Sequence, residues 1–144
     1  MKIISLLLAM SFIGAAVAMA QDKVEAKKVR QVVTDWAKAA DAQDADAVAG
    51  LLDAHFRVVM NRLFGQAEVS VVDRDGYVQM VRDKKIGGQA RELKFRRITI
   101  AGTNAAVELE MTSAVLHFHS LIQLVQDSEG QWRLVSDVPS VRKL

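Results

Sequence analysis

Cysteine is absent from the sequence. That excludes disulfides, thiolate metal sites and cysteine nucleophiles, so the chain must hold together by packing. Charge of one sign is also lacking. Lysine and arginine number 19 against 17 acidic residues, a net charge of +2. So balanced a surface gives no electrostatic support for nucleic-acid binding. Aromatic residues make up 6% of the chain, with one tyrosine, Tyr77, and there is one proline, Pro139. No phosphate loop, serine–histidine–aspartate spacing or metalloprotease helix occurs. Nor is there a repeat or a low-complexity linker.

One long apolar run is present, and it stands at the start. Met1-Lys2 leads into an apolar stretch from Ile3 to Ala20, which closes on Ala18-Met19-Ala20 before polar Gln21-Asp22-Lys23. A basic start, an apolar middle and a small-residue exit make a secretory signal peptide over residues 1–20. An uncleaved anchor is the alternative, since the run is near the length that spans a bilayer. No cysteine follows the exit to carry a lipid, and no arginine pair precedes the run. The expectation is a domain at 21–144 that works in the periplasm or outside the cell, without a membrane anchor after cleavage. Removing Lys2 takes the charge from +2 to +1.

Helical spacing of Val29, Val32, Val33, Trp36, Ala37 and Ala40 predicts an amphipathic helix from about Lys23 to Ala42, with Asp22 and Glu25 as a capping box. Asp44 is placed to cap a second helix carrying Val48, Leu51 and Leu52. His55 to Phe64 reads as a first strand, and Gln66 to Val72 as a loop or a continued extended segment. Asp73 caps a third helix with Tyr77, Met80 and Val81, which Lys84-Lys85 and Gly87-Gly88 close. Four strands follow: Leu93–Ala101 and Ala105–Ser113 around the Gly102-Thr103-Asn104 turn, then Val115–Gln126, then Gln131–Val138 with Pro139 as its stop. Arg96 and Arg97 fall opposite Glu110 and Glu108, a solvated cross-strand pairing. The order α-α-β-α-β-β-β-β is an α+β layout, with helices on one face of a curved antiparallel sheet.

Several segments together resemble the nuclear transport factor 2-like superfamily. They are Asp41-Ala42-Gln43-Asp44-Ala45-Asp46-Ala47, Asp73-Arg74-Asp75-Gly76-Tyr77 into Met80, Lys85-Ile86-Gly87-Gly88, and Asp127 through Val135 with Trp132. The chain is most similar to the exported lumazine-binding, SnoaL-like branch, over essentially all of residues 21–144. The resemblance implies a cone-shaped fold, three helices on the concave face of the sheet, and a pocket between them. It also implies pairing of two sheets back to back in a homodimer. In the ketosteroid isomerase branch the pocket holds a carboxylate base, a tyrosine and a protonated acid. Trp36 stands here where those isomerases tend to offer a tyrosine.

Trp36, Tyr77, Phe118 and Phe56 are the candidate ligand-binding residues, for a small apolar or aromatic molecule; packing in the core is their other reading. His117 and His119 share one side of a strand. Leu116, Phe118, Ile122 and Leu124 make the better core face, which puts the two histidines on the outer face with Leu121 and Val125. A polar end of the pocket, or a metal pair with His55, is the alternative. No cofactor is implied and no metal site is assigned. Three functions fit: a small-molecule-binding domain, a dehydratase or isomerase using a pocket histidine or carboxylate, and a dimeric interaction module. The side-chain direction of His117, His119, Glu108 and Asp137 separates them.

Overall fold

A computed structural model describes residues 4–144, with side chains from residue 14 onward. The start of the expected export segment, residues 1–3, and the side chains of residues 4–13 lie outside the described residues. The element order is α1 (Ile4–Asp41), α2 (Ala45–Leu51), β1 (Leu52–Asn61), β2 (Val69–Asp73), α3 (Arg74–Arg82), β3 (Glu92–Ala101), β4 (Asn104–Thr112), β5 (Leu116–Gln126) and β6 (Trp132–Lys143). The strands form one open sheet in the order β2-β1-β6-β5-β4-β3. β3 to β6 are an antiparallel meander, and β1 joins it parallel to β6. α1 packs over β3 and β6, and α3 over β1. The α+β arrangement of helices against one curved sheet therefore stands, with a mixed sheet of six strands.

Aspartate caps set the two short helices. Asp44 accepts from Ala47 N at 3.0 Å and Asp73 from Gly76 N at 2.9 Å, each satisfying an amide that helix geometry leaves free. The capping box at Asp22 and Glu25 does not form, because α1 runs continuously through both residues. Residues 14–24 of α1 are exposed and pack on nothing; Glu25 is its first buried residue. There the helix meets the sheet. Glu25 accepts hydrogen bonds from Trp132 Nε1 (2.8 Å), Gln126 Nε2 (3.1 Å), Lys28 Nζ (2.9 Å) and Gln21 Nε2 (3.1 Å).

Residues 66–72 are not a loop at their end: Val69–Asp73 pair antiparallel with β1 as the edge strand β2. The segment is short and follows three residues of tight turn, so its two-residue period is brief. Pro139 does not end β6, which continues to Lys143. The pairing of β1 with β6 stops at Asp137, so beyond it β6 has a free side where a missing N–H costs no ladder bond.

A bulge then decides which side chains face inward. Leu134 pairs with Leu124 and Ser136 with Gln123, leaving Val135 as an extra residue. Strict alternation from Trp132 and Leu134 would turn Ser136 inward. The extra residue reverses the parity, so Asp137 sits opposite the buried Ile122 instead. Arg96 is the corresponding extra residue of β3. It binds Glu110 at 2.9 Å, while Arg97 sits opposite Glu108.

The core fills the end of the sheet where β5 leaves and β6 begins. Val29, Val33, Val107, Leu109, Leu124 and Leu134 are buried there. Among the described residues no helix is long and apolar enough to cross a membrane.

Candidate functional site

The other end is open. Between α1, α3, the 83–91 segment and the inner face of β1, β4, β5 and β6 lies a cavity of about 390 Å³. Its walls are largely apolar: Trp36, Val58, Met60, Met80, Met111, Phe118 and Val141. The residues after α3 form a strap across it. Gly88 N donates to Asp41 O at 2.9 Å, and Gln43 Nε2 to Ile86 O at 3.1 Å. Gly87 is required at its position. Its φ is +80°, and a β-carbon there would lie 2.0 Å from Ala40 O.

Arg91 ends the strap and enters the cavity wall. Its Nε donates to Asp41 Oδ1 at 2.5 Å, its amide to Asp41 Oδ2 at 3.0 Å and its Nη2 to Ala37 O at 3.1 Å. The guanidinium lies 5.9 Å from the Trp36 ring centre and 5.6 Å from that of Phe118. Such an arrangement neutralises the arginine and uses it as a brace between two aromatic walls.

Two further polar groups are left open. Trp36 is 1% exposed and Asp137 5% exposed, and both line the cavity. Neither Trp36 Nε1 nor Asp137 Oδ1 is paired at full hydrogen-bond geometry within the protein, although the Tyr77 hydroxyl adjoins the indole and the fully buried, equally unpaired Ser120 hydroxyl adjoins the carboxyl. Burial pushes the Asp137 carboxyl up to about 7, and the Ser120 hydroxyl and Arg91 guanidinium offset only part of that. Tyr77 completes the polar end. Burial, and then the nearby Asp137, raise its hydroxyl well above the ordinary value, so it remains a donor at neutral pH. An indole N–H, a phenol and a carboxyl able to carry or release a proton thus line one apolar chamber.

Of the residues singled out in the sequence, Trp36, Tyr77 and Phe118 line the cavity. Phe56 does not. It precedes the cavity-lining Val58 and Met60 on the inner face of β1 and is covered by Tyr77, with ring centres 5.4 Å apart. His117 and His119 lie on the other face of the sheet from Phe118 and Ser120. His117 Nδ1 is 3.1 Å from Thr112 Oγ1, and His119 Nε2 is 2.9 Å from Glu108 Oε1. Among the described residues no group of three or more histidines and acids is gathered to hold a metal. Asp137, named in the sequence only as a residue whose direction matters, faces inward, and the Arg91–Asp41 pair in the wall is not signalled by the sequence. The bulge hid the direction of Asp137, and the Arg91–Asp41 pair spans 50 positions.

A sequence model of the family described as "Putative lumazine-binding" matches residues 24–138. No curated protein matches the chain by sequence. Solved structures with the same fold include a nuclear transport factor 2-like protein of unknown function from Silicibacter pomeroyi. It is 19% identical, with a TM-score of 0.72, over 83% of this chain and 98% of that one. A second such protein, from Shewanella baltica, is 13% identical with a TM-score of 0.71, over 82% and 94%. A ketosteroid isomerase-like protein from Erwinia carotovora is 12% identical with a TM-score of 0.65, over 83% and 96%.

Proposed function

Because the chain belongs to this lumazine-binding family of nuclear transport factor 2-like domains, we propose that it is an exported domain that binds a small, flat, largely apolar molecule. The cavity carries this reading: about 390 Å³ walled by aromatic and aliphatic side chains, with a few converging polar groups. A side chain that fills that space should abolish binding. Native mass spectrometry of the protein purified from its export compartment tests this. A co-purifying small molecule, lost in Val141→Trp, is the expected result. Repeated absence of any bound molecule from the parent protein counts against it.

Export is supported by the sequence of residues 1–20 and by the exposure of residues 14–24, which pack on no other element. Cleavage after Ala20 would leave every partner of Glu25 in place. The working compartment is then the periplasm or the medium. The intact mass of the exported protein should match a chain beginning at Gln21, free or cyclised to pyroglutamate; a mass matching a chain from Met1 refutes cleavage.

A homodimer is supported by the outer face of the sheet. Val71 pairs with Val59, and Val138 with Leu121, in neighbouring strands. Since Val58 adjoins Asp137, these four make an apolar row across β2, β1, β6 and β5. Val71, Val138 and Leu121 are 61%, 41% and 55% exposed. Leu121→Glu should convert a dimer to a monomer in light scattering; a monomeric parent protein removes the proposal.

The enzyme reading is favoured by one observation, the buried carboxyl of Asp137 in the same cavity lining as the Tyr77 hydroxyl, and it assigns proton transfer to a carboxylate instead of a histidine. Turnover of a co-purified ligand by the parent but not by Asp137→Asn would establish it. Release of that ligand unchanged would dismiss it.

A further inference from the structure

The rim of the cavity carries a pattern independent of the groups inside it. Four segments of chain meet there: 62–68 between β1 and β2, 83–91 between α3 and β3, 113–115 between β4 and β5, and 142–144 where β6 finishes. Each of the first three contributes to the lining. The fourth ties them together: Leu144 N donates to Val115 O at 3.0 Å, and Lys143 Nζ stands 5.5 Å from the centre of the Phe64 ring.

Two large apolar side chains stay in water at this rim. Phe64 is 56% exposed and Val115 49% exposed. Phe64 holds its place at a cost. Its φ is +50° and that of Arg62 is +52°, in the left-handed region that bulky side chains avoid. Asparagine or glycine would make this turn with less strain, so the exposed ring calls for a role beyond folding.

Charge gathers at the same rim. The four segments hold six cations and two acids, Glu68 and Asp83. Arg91 is consumed by Asp41, and Lys85 lies 3.9 Å from Asp83. Arg62, Lys84, Arg142 and Lys143 enter no ion pair among the described residues. The two strand turns at the filled end, 102–103 and 127–131, carry two acids and no cation. Among the turns of the sheet, the free cations therefore stand at the cavity mouth.

We propose that this rim docks the protein peripherally on an anionic lipid bilayer. Phe64 and Val115 enter the boundary between headgroups and acyl chains, while Arg62, Lys84, Arg142 and Lys143 meet lipid phosphates. Separate turn tips among long, flexible cations suit a fluid surface; they offer a folded partner no continuous edge or flat face. Docking in this orientation turns the cavity mouth toward the bilayer. An apolar molecule then passes between hydrocarbon and chamber with little exposure to water. That passage rests on the small-molecule reading above; the docking does not.

Flotation of the exported protein, from Gln21 onward, tests the proposal with two kinds of vesicle: phosphatidylcholine alone, and phosphatidylcholine with about a quarter phosphatidylglycerol. The protein should float with the second and far less with the first, and about 0.5 M salt should release it. Joint Arg142→Glu and Lys143→Glu substitution should weaken binding by about tenfold or more. Phe64→Asn, which suits a positive φ, should weaken it by about tenfold, and Phe64→Trp should retain it. Melting temperatures like the parent's establish that these variants fold. Equal flotation with both vesicles overturns the proposal. So does a folded Phe64→Asn or charge-reversed variant that floats as the parent does. Flotation with neither vesicle overturns it as well and leaves the rim to a protein partner. Native mass spectrometry gives a separate readout for the cavity. A parent that floats but never carries a small molecule upholds docking and overturns the cavity reading; one that carries a molecule but does not float does the reverse.

Discussion

Each end of the molecule buries one tryptophan and one acid, and the two ends treat them oppositely. At the filled end Trp132 Nε1 donates to Glu25, which accepts three further side-chain hydrogen bonds. At the open end Trp36 Nε1 and Asp137 Oδ1 are unpaired at full hydrogen-bond geometry. The same residue types serve as a clasp in one place and as vacant hydrogen-bonding capacity in the other. Titration follows the same division. Lys28, then the Trp132 N–H, hold Glu25 below its ordinary value of 4.5, whereas burial lifts Asp137 from 3.8 to about 7. Glu25 therefore stabilises the fold above its ordinary range, and that contribution is lost as pH falls through its lowered value. Asp137 has the reverse sign. Between pH 3.8 and about 7 the folded protein keeps a proton that the unfolded chain has released, so its contribution to stability declines as pH rises through that window.

The largest effect should come from removing the ionisable group at the open end. Asp137→Asn should be more stable than the parent at pH 8, by up to about 4 kcal/mol. The excess should shrink as pH is lowered toward 4. Urea denaturation at both ends of the range checks this, and a pH-independent difference would refute it. Next comes the strap that closes the cavity. Gly87→Val combines a positive φ with a collision against Ala40 O and should cost about 2 kcal/mol or more.

The tryptophans give the direct contrast. Trp132→Phe strips a donor from a buried carboxylate and should lower the melting temperature by several degrees. Trp36→Phe removes an N–H with no partner at full hydrogen-bond geometry and only the neutral Tyr77 hydroxyl beside it, and should change it less. Equal losses would erase the distinction between the ends. The smallest effect is expected from deleting residues 2–20, whose described side chains pack on nothing. The melting temperature should be unchanged, as differential scanning calorimetry would show.

Local chemistry was readable in the sequence, and closures between distant residues were not. The caps at Asp44 and Asp73, the turn at Gly102-Thr103-Asn104 and the inward face of Trp36 follow from spacing within a few residues. The inner placement of Phe118 and the outer placement of His117 and His119 follow from strand parity alone. Parity is also what fails at Asp137, because Val135 inserts an extra residue that no composition rule reveals. Pro139 misleads for a related reason: its tolerance depends on where β1 leaves β6, at Val58, which stands 137 − 58 = 79 positions before its partner Asp137. The role of Glu25 was misread as local capping, since its true partner lies 107 residues away.

That last separation has a consequence for how the protein comes into being. Chains are made from the amino end, and α1 exists long before β6 does. Until Trp132 arrives, Glu25 has only its own helix neighbours Gln21 and Lys28 to satisfy it. The clasp is thus an end-of-synthesis event. A chain cut short before β6 lacks at once the partner of Glu25, the strand that joins β1 to the meander and the acid of the cavity. The contact of Glu25 with Trp132 marks the arrival of β6 at the helix that was made first.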